Sequence, residues 1–323
     1  ANEAGTPPFT DCASAQDSDW HGTHTTGIIA ANADNGHQIA GIDWNAKIVP
    51  VRVLGKCGGY TSDIVDGLRW AAGLHVTGVP DNAHPANIIN MSLGGSGSCS
   101  VEEQSAINAA FSQPQLKAIV SAAGNEGASS LNTAPGNCTN VITVAATDYY
   151  GSRAPYSNGG ANVVLSAPGG YFGTPPAGAS SDELGILSIR NPGTTNPLPR
   201  PSELVYFVGT SEAAAHVSGV VGLMLAHKST LTPYQVYSIL RTNARAFPDS
   251  TCNISTCGSG ILDASASVQA SATPPADRGL GFGGVNQVPA SGALPASIGS
   301  SSGGGGGGGG GCTVGDGSRP DWL

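Results

Sequence analysis

"FVGTSEAAAHVSGVVGLML" (residues 207–225) sets a Gly-Thr-Ser turn directly against a run of Ala, Gly, Val and Leu with almost no charge. Such a run suits a helix buried on all sides. Yet it opens on a serine followed at once by an acid, Ser211 and Glu212. Serine at a helix start is ordinarily a cap, its oxygen accepting a backbone N–H. A hydroxyl there also sits among unpaired N–H groups at the positive end of the helix dipole, where negative charge is favoured. A buried helix needs layers around it, and the preceding 200 residues offer them.

Apolar, β-branched segments read as strands: "KIVPVRVL" (47–54), "NIINMSL" (87–93), "KAIVSAA" (117–123), "NVITVAA" (140–146) and "NVVLSAP" (162–168). Near-continuous apolar runs suit a parallel sheet covered on both faces. Helices are expected between them. "TSDIVDGLRWAAG" spaces Ile64, Leu68 and Ala72 on one face. "SVEEQSAINAAF" carries a capping box in Ser100 and Glu103. "TPYQVYSILRTNA" has Thr232 as N-cap and Pro233 at the first helical position. The alternation predicts an α/β fold with a doubly wound, mainly parallel sheet, helices on both faces, and a site at the carboxyl ends of the strands.

The 323 residues allow one large or two medium domains. Only 11% are charged and the net charge is −9, with no basic run to neutralise phosphates, which excludes a nucleic-acid partner. No apolar stretch reaches the ~18 residues needed to span a bilayer. The low charge and the wealth of Ala, Ser, Thr, Asn and Gly suit a compact secreted protein. No basic and apolar signal peptide opens the chain, as expected of a processed or trimmed one. Seven cysteines without C-x-x-C spacing read as three disulfides in an oxidising compartment plus one left over, Cys312. Spacing alone leaves the pairs open. From about residue 271 the pattern dissolves into Pro, Gly, Ser and Ala, with nine glycines at 303–311. Residues 1–270 are therefore expected to form one domain and 271–323 a flexible tail.

Three further stretches carry candidate chemistry. "DSDWHGTHTTGIIA" places His21 and His24 at i and i+3. That spacing could hold a metal, but the glutamate of H-E-x-x-H is missing and no third ligand stands near. "VSAAGNEG" puts Asn125 where a strand ends, either as a plain Gly-Asn turn or as an amide donor facing a cleft. "NMSLGG" ends another strand on Gly94 and Gly95.

Together with the opening stretch, these motifs resemble the subtilisin-like serine peptidases, the subtilases, over roughly residues 15–268. His21-Gly22-Thr23-His24 matches the family's histidine signature. Gly209-Thr210-Ser211 with Ala213, Ala214, His216 and Val217 matches its serine signature. Details such as "VPVRVLGKCGGYTSDI" and "NMSLGGSGSCS" are similar to extracellular proteases of Gram-negative bacteria. The resemblance implies a secreted serine endopeptidase, monomeric, acting on protein or peptide substrates and needing no cofactor for chemistry. It makes Ser211 the nucleophile, His21 the base that takes and returns its proton, and Asn125 the oxyanion donor beside the Ser211 N–H. His24 and His216 fall to structural roles. Substrate would lie along Gly58, Gly59 and Tyr60 and along Ser92, Leu93, Gly94 and Gly95. The side-chain pocket would be bounded by Ser92–Gly95 and Ala122, Ala123 and Gly124, with Thr133 near its base. Nothing charged lies in those stretches, which points to apolar or aromatic side chains before the scissile bond. The resemblance also implies disulfides Cys12–Cys57, Cys99–Cys138 and Cys252–Cys257. The family commonly binds structural calcium, for which the 31–41 loop offers Asn32 or Asp34.

Two departures matter. The family triad runs Asp, His, Ser, with the aspartate on a first strand inside an Asp-Thr-Gly or Asp-Ser-Gly stretch. The twenty residues before His21 contain no such stretch, so the aspartate and first strand are expected to be missing, with Asp17 and Asp19 the first substitutes to examine. The family also reads Gly-Thr-Ser-Met-Ala-Ala-Pro-His, whereas this chain has Glu212 for the methionine and Ala215 for the proline. A glutamate there must stay protonated, find a donor or reach the cleft. If ionised and alone it opposes the oxyanion, and methionine is expected to serve better. These departures keep a second reading open, a catalytically silent subtilase fold that binds or scaffolds. An α/β-hydrolase esterase is excluded, because Gly209-Thr210-Ser211-Glu212-Ala213 is not G-x-S-x-G and that fold places its histidine last. The glycine run followed by a single cysteine resembles bacterial C-terminal sorting signals, which implies anchoring to the cell envelope through the tail.

Overall fold

The computed structural model describes residues 17–55, 58–174, 184–199 and 202–283, together with the strand residues 312 and 313. Four strands form the central sheet: β1 (Ile88–Met91), β3 (Ala118–Ala122), β5 (Ile142–Thr147) and β6 (Val163–Pro168). Their order is β1-β3-β5-β6 and every pairing is parallel, with Ile89 opposite Ile119, Ser121 opposite Thr143 and Ala145 opposite Ser166. A short second sheet joins β2 (Leu93–Ser96) to β4 (Thr133–Ala134) in antiparallel fashion.

Both faces of the central sheet are covered, as the sequence predicts. Along β3, Ala118, Val120 and Ala122 point into one core and Ile119 into the other. That alternation is the two-residue period of a strand buried on both sides. The first core gathers α4 (Thr210–His227) and α5 (Pro233–Thr242). Helix α4 packs against all four central strands, with Ala213, Ala214, Val217 and Val221 fully buried. The second core places Ile64 and Leu68 of α2 (Thr61–Ala71) against Ala106 and Ile107 of α3 (Val101–Ala110). Each fully buried Val, Ile or Leu contributes about 1.5–3 kcal/mol relative to exposure. Helix α3 starts on the Ser100–Glu103 capping box. Helix α5 starts on Thr232 with Pro233, its box closed by Gln235.

Two expectations are corrected and one unexpected element is added. Residues 47–54 form no strand: Ile48 and Val51 are exposed, and no ladder partner lies beside them among the described residues. A strand is made by its hydrogen-bonded neighbour, so propensity alone did not suffice. Second, an antiparallel hairpin that the sequence did not announce joins β7 (Ile186–Arg190) to β8 (Glu203–Phe207). It packs on α1 (His21–Ala30). Third, packed chain runs past the boundary placed at residue 270. Beyond α6 (Ala264–Ala270), Phe282 is buried in the first core and stacks on Tyr237 at 4.7 Å, while its carbonyl accepts from the Asn140 N–H. In the tail, β9 (Cys312–Thr313) runs parallel to β2, with Leu93 opposite Cys312 and Gly94 opposite Thr313.

Candidate active site

The site assembles where two helices begin. Helix α1 opens on His21, whose backbone N–H donates to Asp19 Oδ1 at 3.1 Å. Its buried face carries His21 and, one turn on, His24. Helix α4 is capped by Gly209, not by a side chain, so Ser211 lies inside the first turn. The hydroxyl is therefore not used as a cap. The two helices pack against each other. Their point of approach is a direct one: His24 Nδ1 stands 3.2 Å from Glu212 Oε1, with both side chains buried.

Ser211 is held from the sheet side. Its carbonyl accepts from Ser92 Oγ at 2.7 Å, and its own hydroxyl points at the Ser92 carbonyl at 3.4 Å. Ser92 Oγ in turn accepts from Asn90 Nδ2 at 3.0 Å, and Asn90 Oδ1 accepts from Ser218 Oγ of α4 at 2.8 Å. This chain of hydrogen bonds fixes the start of α4 against the end of β1.

Asn125 follows β3 through Gly124, whose φ of +104° strongly favours glycine. The Asn125 Oδ1 accepts from the Thr210 N–H at 2.8 Å and from the Thr210 hydroxyl at 2.9 Å. Two donors on one atom identify it as the oxygen. The Nδ2 is thereby left as the donor, turned toward Gly209 and the start of α4. The Thr210 hydroxyl also accepts from the Gly124 N–H at 3.2 Å, so it closes a three-residue brace.

Around the expected side-chain pocket, Thr133 is buried and its Oγ1 accepts from Asn158 Nδ2 at 3.1 Å. The same Nδ2 donates to Glu126 Oε2 at 2.5 Å. A carboxylate thus does approach this region, which qualifies the reading that nothing charged lies there. A Cβ on Gly124 would meet Asn158 Nδ2 and Glu126 Oε2, so the glycine keeps this space open. Gly94 and Gly95 lie on β2, whose edge carries the chain's own Cys312–Thr313. Gly58 bridges to Gly55, Gly59 approaches the Val53 carbonyl too closely for a side chain, and Tyr60 stands exposed at the start of α2.

Glu212 does not stand alone, because the imidazole of His24 lies 3.2 Å away. The hairpin β7–β8 positions that imidazole. His24 Nε2 lies 3.1 Å from the Ile186 carbonyl, Phe207 stacks on the ring at 4.3 Å, and Ser188 Oγ donates to the His24 carbonyl at 2.7 Å. Nearby, His216 Nδ1 faces the Glu212 carbonyl at 2.8 Å, and burial lowers its pKa below the ordinary 6.5. Burial, reinforced by Glu212, raises the Tyr156 phenol well above 10. Tyr156 donates toward the Gly169 and Gly170 carbonyls, next to the strand-to-helix turn at Gly209.

Disulfides join Cys99 to Cys138 and Cys252 to Cys257. The first lies beside the capping box of α3 and the second after α5. The implied Cys12–Cys57 pair lies outside the described residues. The 31–41 loop gathers no carboxylate cluster for calcium: Asp34 is its one acid and stands exposed. Among the described residues, the one trio of metal-ligand side chains close enough to share an ion is Cys99, Glu103 and Cys138, and its cysteines are bonded to each other.

The sequence missed Asn158, Glu126 and the hairpin behind His24, and it placed Thr210 in the serine motif and Ser92 along the substrate without their bracing roles. Thr210 had a signal, standing between the glycine and serine of the motif. The others become visible only when distant segments meet.

The comparisons with known proteins show the family and the fold. The model of the subtilase family matches residues 3–283. The chain is 46% identical over 257 residues to an extracellular protease of Xanthomonas campestris pv. campestris, covering 79% of this chain and 41% of that protein. It is 45% identical over 258 residues to an extracellular basic protease of Dichelobacter nodosus, covering 78% and 39%. The chain thus spans about two fifths of the length of these curated relatives. Among solved structures, a protease from Pseudoalteromonas arctica superposes with a TM-score of 0.72 at 49% identity, covering 80% of this chain and 73% of that one. The chain belongs to the subtilase family.

Proposed function

We propose that this chain is the catalytic body of a secreted serine endopeptidase, monomeric and acting on protein or peptide substrates. Ser211 attacks the scissile carbonyl. His21 takes the serine proton and returns it to the leaving amine. Asn125 Nδ2 and the Ser211 N–H receive the oxyanion at the positive end of α4. The observation that carries this reading is the brace on Asn125. Thr210, the residue before the nucleophile, holds Oδ1 with two donors and so commits Nδ2 to the mouth of the helix. A plain Gly-Asn turn needs no such arrangement. Peptide would take the place of Cys312–Thr313 on the edge of β2 at Leu93–Gly95 and would also run along Gly58–Tyr60. Secretion is supported by the likeness to two extracellular proteases and by the cysteine usage. No cofactor enters the chemistry. Tail-borne envelope anchoring belongs to the same proposal, tested by cell fractionation.

A fluorophosphonate probe tests the mechanism. Mass spectrometry should place a single adduct on Ser211, lost in Ser211→Ala. Absence of labelling on folded protein overturns the reading. Glu212, a buried acid next to the nucleophile, favours the alternative of a silent strand-binding module, which the same experiment would then support if peptides still bound.

A further inference from the structure

The strongest unassigned feature is the buried His24–Glu212 contact. Each partner neighbours one proposed reacting group: His24 lies one turn after His21 on α1, and Glu212 directly follows Ser211 on α4. His24 Nδ1 and Glu212 Oε1 are both buried without a hydrogen-bond partner, and they stand 3.2 Å from each other. His24 Nε2 faces the Ile186 carbonyl, which has only lone pairs to offer, so Nε2 carries a proton. The remaining nitrogen, Nδ1, is then the atom that stands 3.2 Å from Oε1, close enough for one proton to be shared between them. Either imidazolium faces carboxylate, or neutral imidazole faces carboxylic acid. In both forms the pair is neutral overall.

We propose that His24 and Glu212 form a proton-sharing clasp between the two helices that carry the base and the nucleophile, with Glu212 a positioning residue for Ser211 and His21. This rests on the peptidase reading above. The rest of the structure is arranged for such a clasp. Phe207 fixes the plane of the His24 ring, and Ser188 and Ile186 fix its height and tautomer. The groups beside the pair, Tyr156 from outside the two helices and His216 from α4 itself, offer it no compensating charge. Tyr156 is a neutral phenol bonded to backbone carbonyls, and His216 turns its Nδ1 to the Glu212 carbonyl. Neither supplies the charge that would replace either partner. A buried pair that loses one member leaves the other uncompensated, whereas replacing both with apolar groups is often neutral for stability. The pair therefore need not stabilise the fold overall in order to fix the distance between the helices.

The test is a double-mutant cycle on the full chain with Glu212→Met, His24→Phe and the double variant. Three readouts apply: thermal unfolding, the rate of fluorophosphonate capture by Ser211 with kcat and KM on a peptide, and the ring ¹⁵N signals of His21 and His24. Each single variant should lower the capture rate and kcat about tenfold with KM within twofold of the parent. The double variant should be no worse than either single one, because the clasp acts as a unit. Glu212→Gln, which keeps the shape but cannot share the proton in the same way, should behave like Glu212→Met and should shift the His24 and His21 ring signals. Additive effects, or folded variants with parent-like kcat, would overturn the proposal. If the parent chain is not captured at all, the peptidase reading fails separately. The unfolding cycle and the His24 and His21 signals then still decide: additive melting changes or unmoved rings overturn the clasp, and coupled changes with shifted rings uphold it.

Discussion

Thr210→Val isolates how much of the oxyanion donor depends on its brace. Thr210 is fully buried, and valine keeps its volume while deleting the hydroxyl. Two hydrogen bonds disappear, the 2.9 Å donation to Asn125 Oδ1 and the 3.2 Å acceptance from the Gly124 N–H. The Thr210 N–H still holds Oδ1 at 2.8 Å, so Asn125 keeps one of its two anchors. Losing one net hydrogen bond costs about 0.5–1.5 kcal/mol, which predicts capture of a fluorophosphonate by Ser211 slowed about 2- to 13-fold. Asn125→Ala removes the donor itself. In a subtilisin that loss costs about 2.7–4 kcal/mol, or about 10²–10³ in rate. The orphaned Gly124 N–H adds about 1–3 kcal/mol of instability, visible as a lowered melting temperature. The assay is the pseudo-first-order capture rate of the three proteins, measured below their melting points. The expected order is parent, then Thr210→Val, then Asn125→Ala. A folded Thr210→Val that reacts at the parent rate, beside a slow Asn125→Ala, would refute the brace. Equal rates for parent and Asn125→Ala would refute the donor.

Three further outcomes are expected. Replacing Cys99 and Cys138 by serine should cost about 4 kcal/mol and replacing Cys252 and Cys257 about 2, from the loop-closure entropy of their unequal spans, read by denaturant unfolding; equal losses would contradict the entropic account. Because burial lowers the His216 pKa below 6.5, its neutral form is favoured in the fold, so that part of the stability is complete above about pH 6.5 and declines as the pH falls toward the folded value; His216→Gln should flatten the acid side of a melting-temperature profile. Glu126, held by Asn158 beside Thr133, should disfavour acidic side chains before the scissile bond, and Glu126→Gln should raise cleavage after Glu several-fold in a peptide library.

The parts legible in the sequence are those whose physics is local. Parallel strands buried on both faces must be almost wholly apolar, and β3, β5 and β6 are. Capping boxes need residues three apart, and both predicted N-caps are in place. Segment 47–54 had the composition of a strand but not the neighbour. The β7–β8 hairpin had the neighbour but little to announce it: "ILSIR" and "ELVYF" are short and half-exposed, and the twelve residues 191–202 separate them in a polar, Pro-rich stretch. Phe282 was hidden as a lone aromatic among glycines. It is buried because Tyr237 and Asn140, far upstream, present a ring and a backbone N–H to it.

Glu212 shows where reading one residue at a time fails. Two like unit charges about 4 Å apart repel by about 4 kcal/mol at an effective dielectric of about 20. That equals the upper end of what an asparagine donor contributes to an oxyanion, about 2.7–4 kcal/mol. A lone carboxylate beside Ser211 would therefore cancel the donor, and methionine would be the better residue. With one proton shared between Glu212 and His24 at 3.2 Å, as proposed above, the comparison changes, because the pair is then neutral and presents the oxyanion with a dipole in place of a charge. Methionine at 212 would then strand a buried imidazole whose other nitrogen is already committed to Ile186. The substitution that the motif suggests as a repair is, in this fold, the removal of one half of a pair.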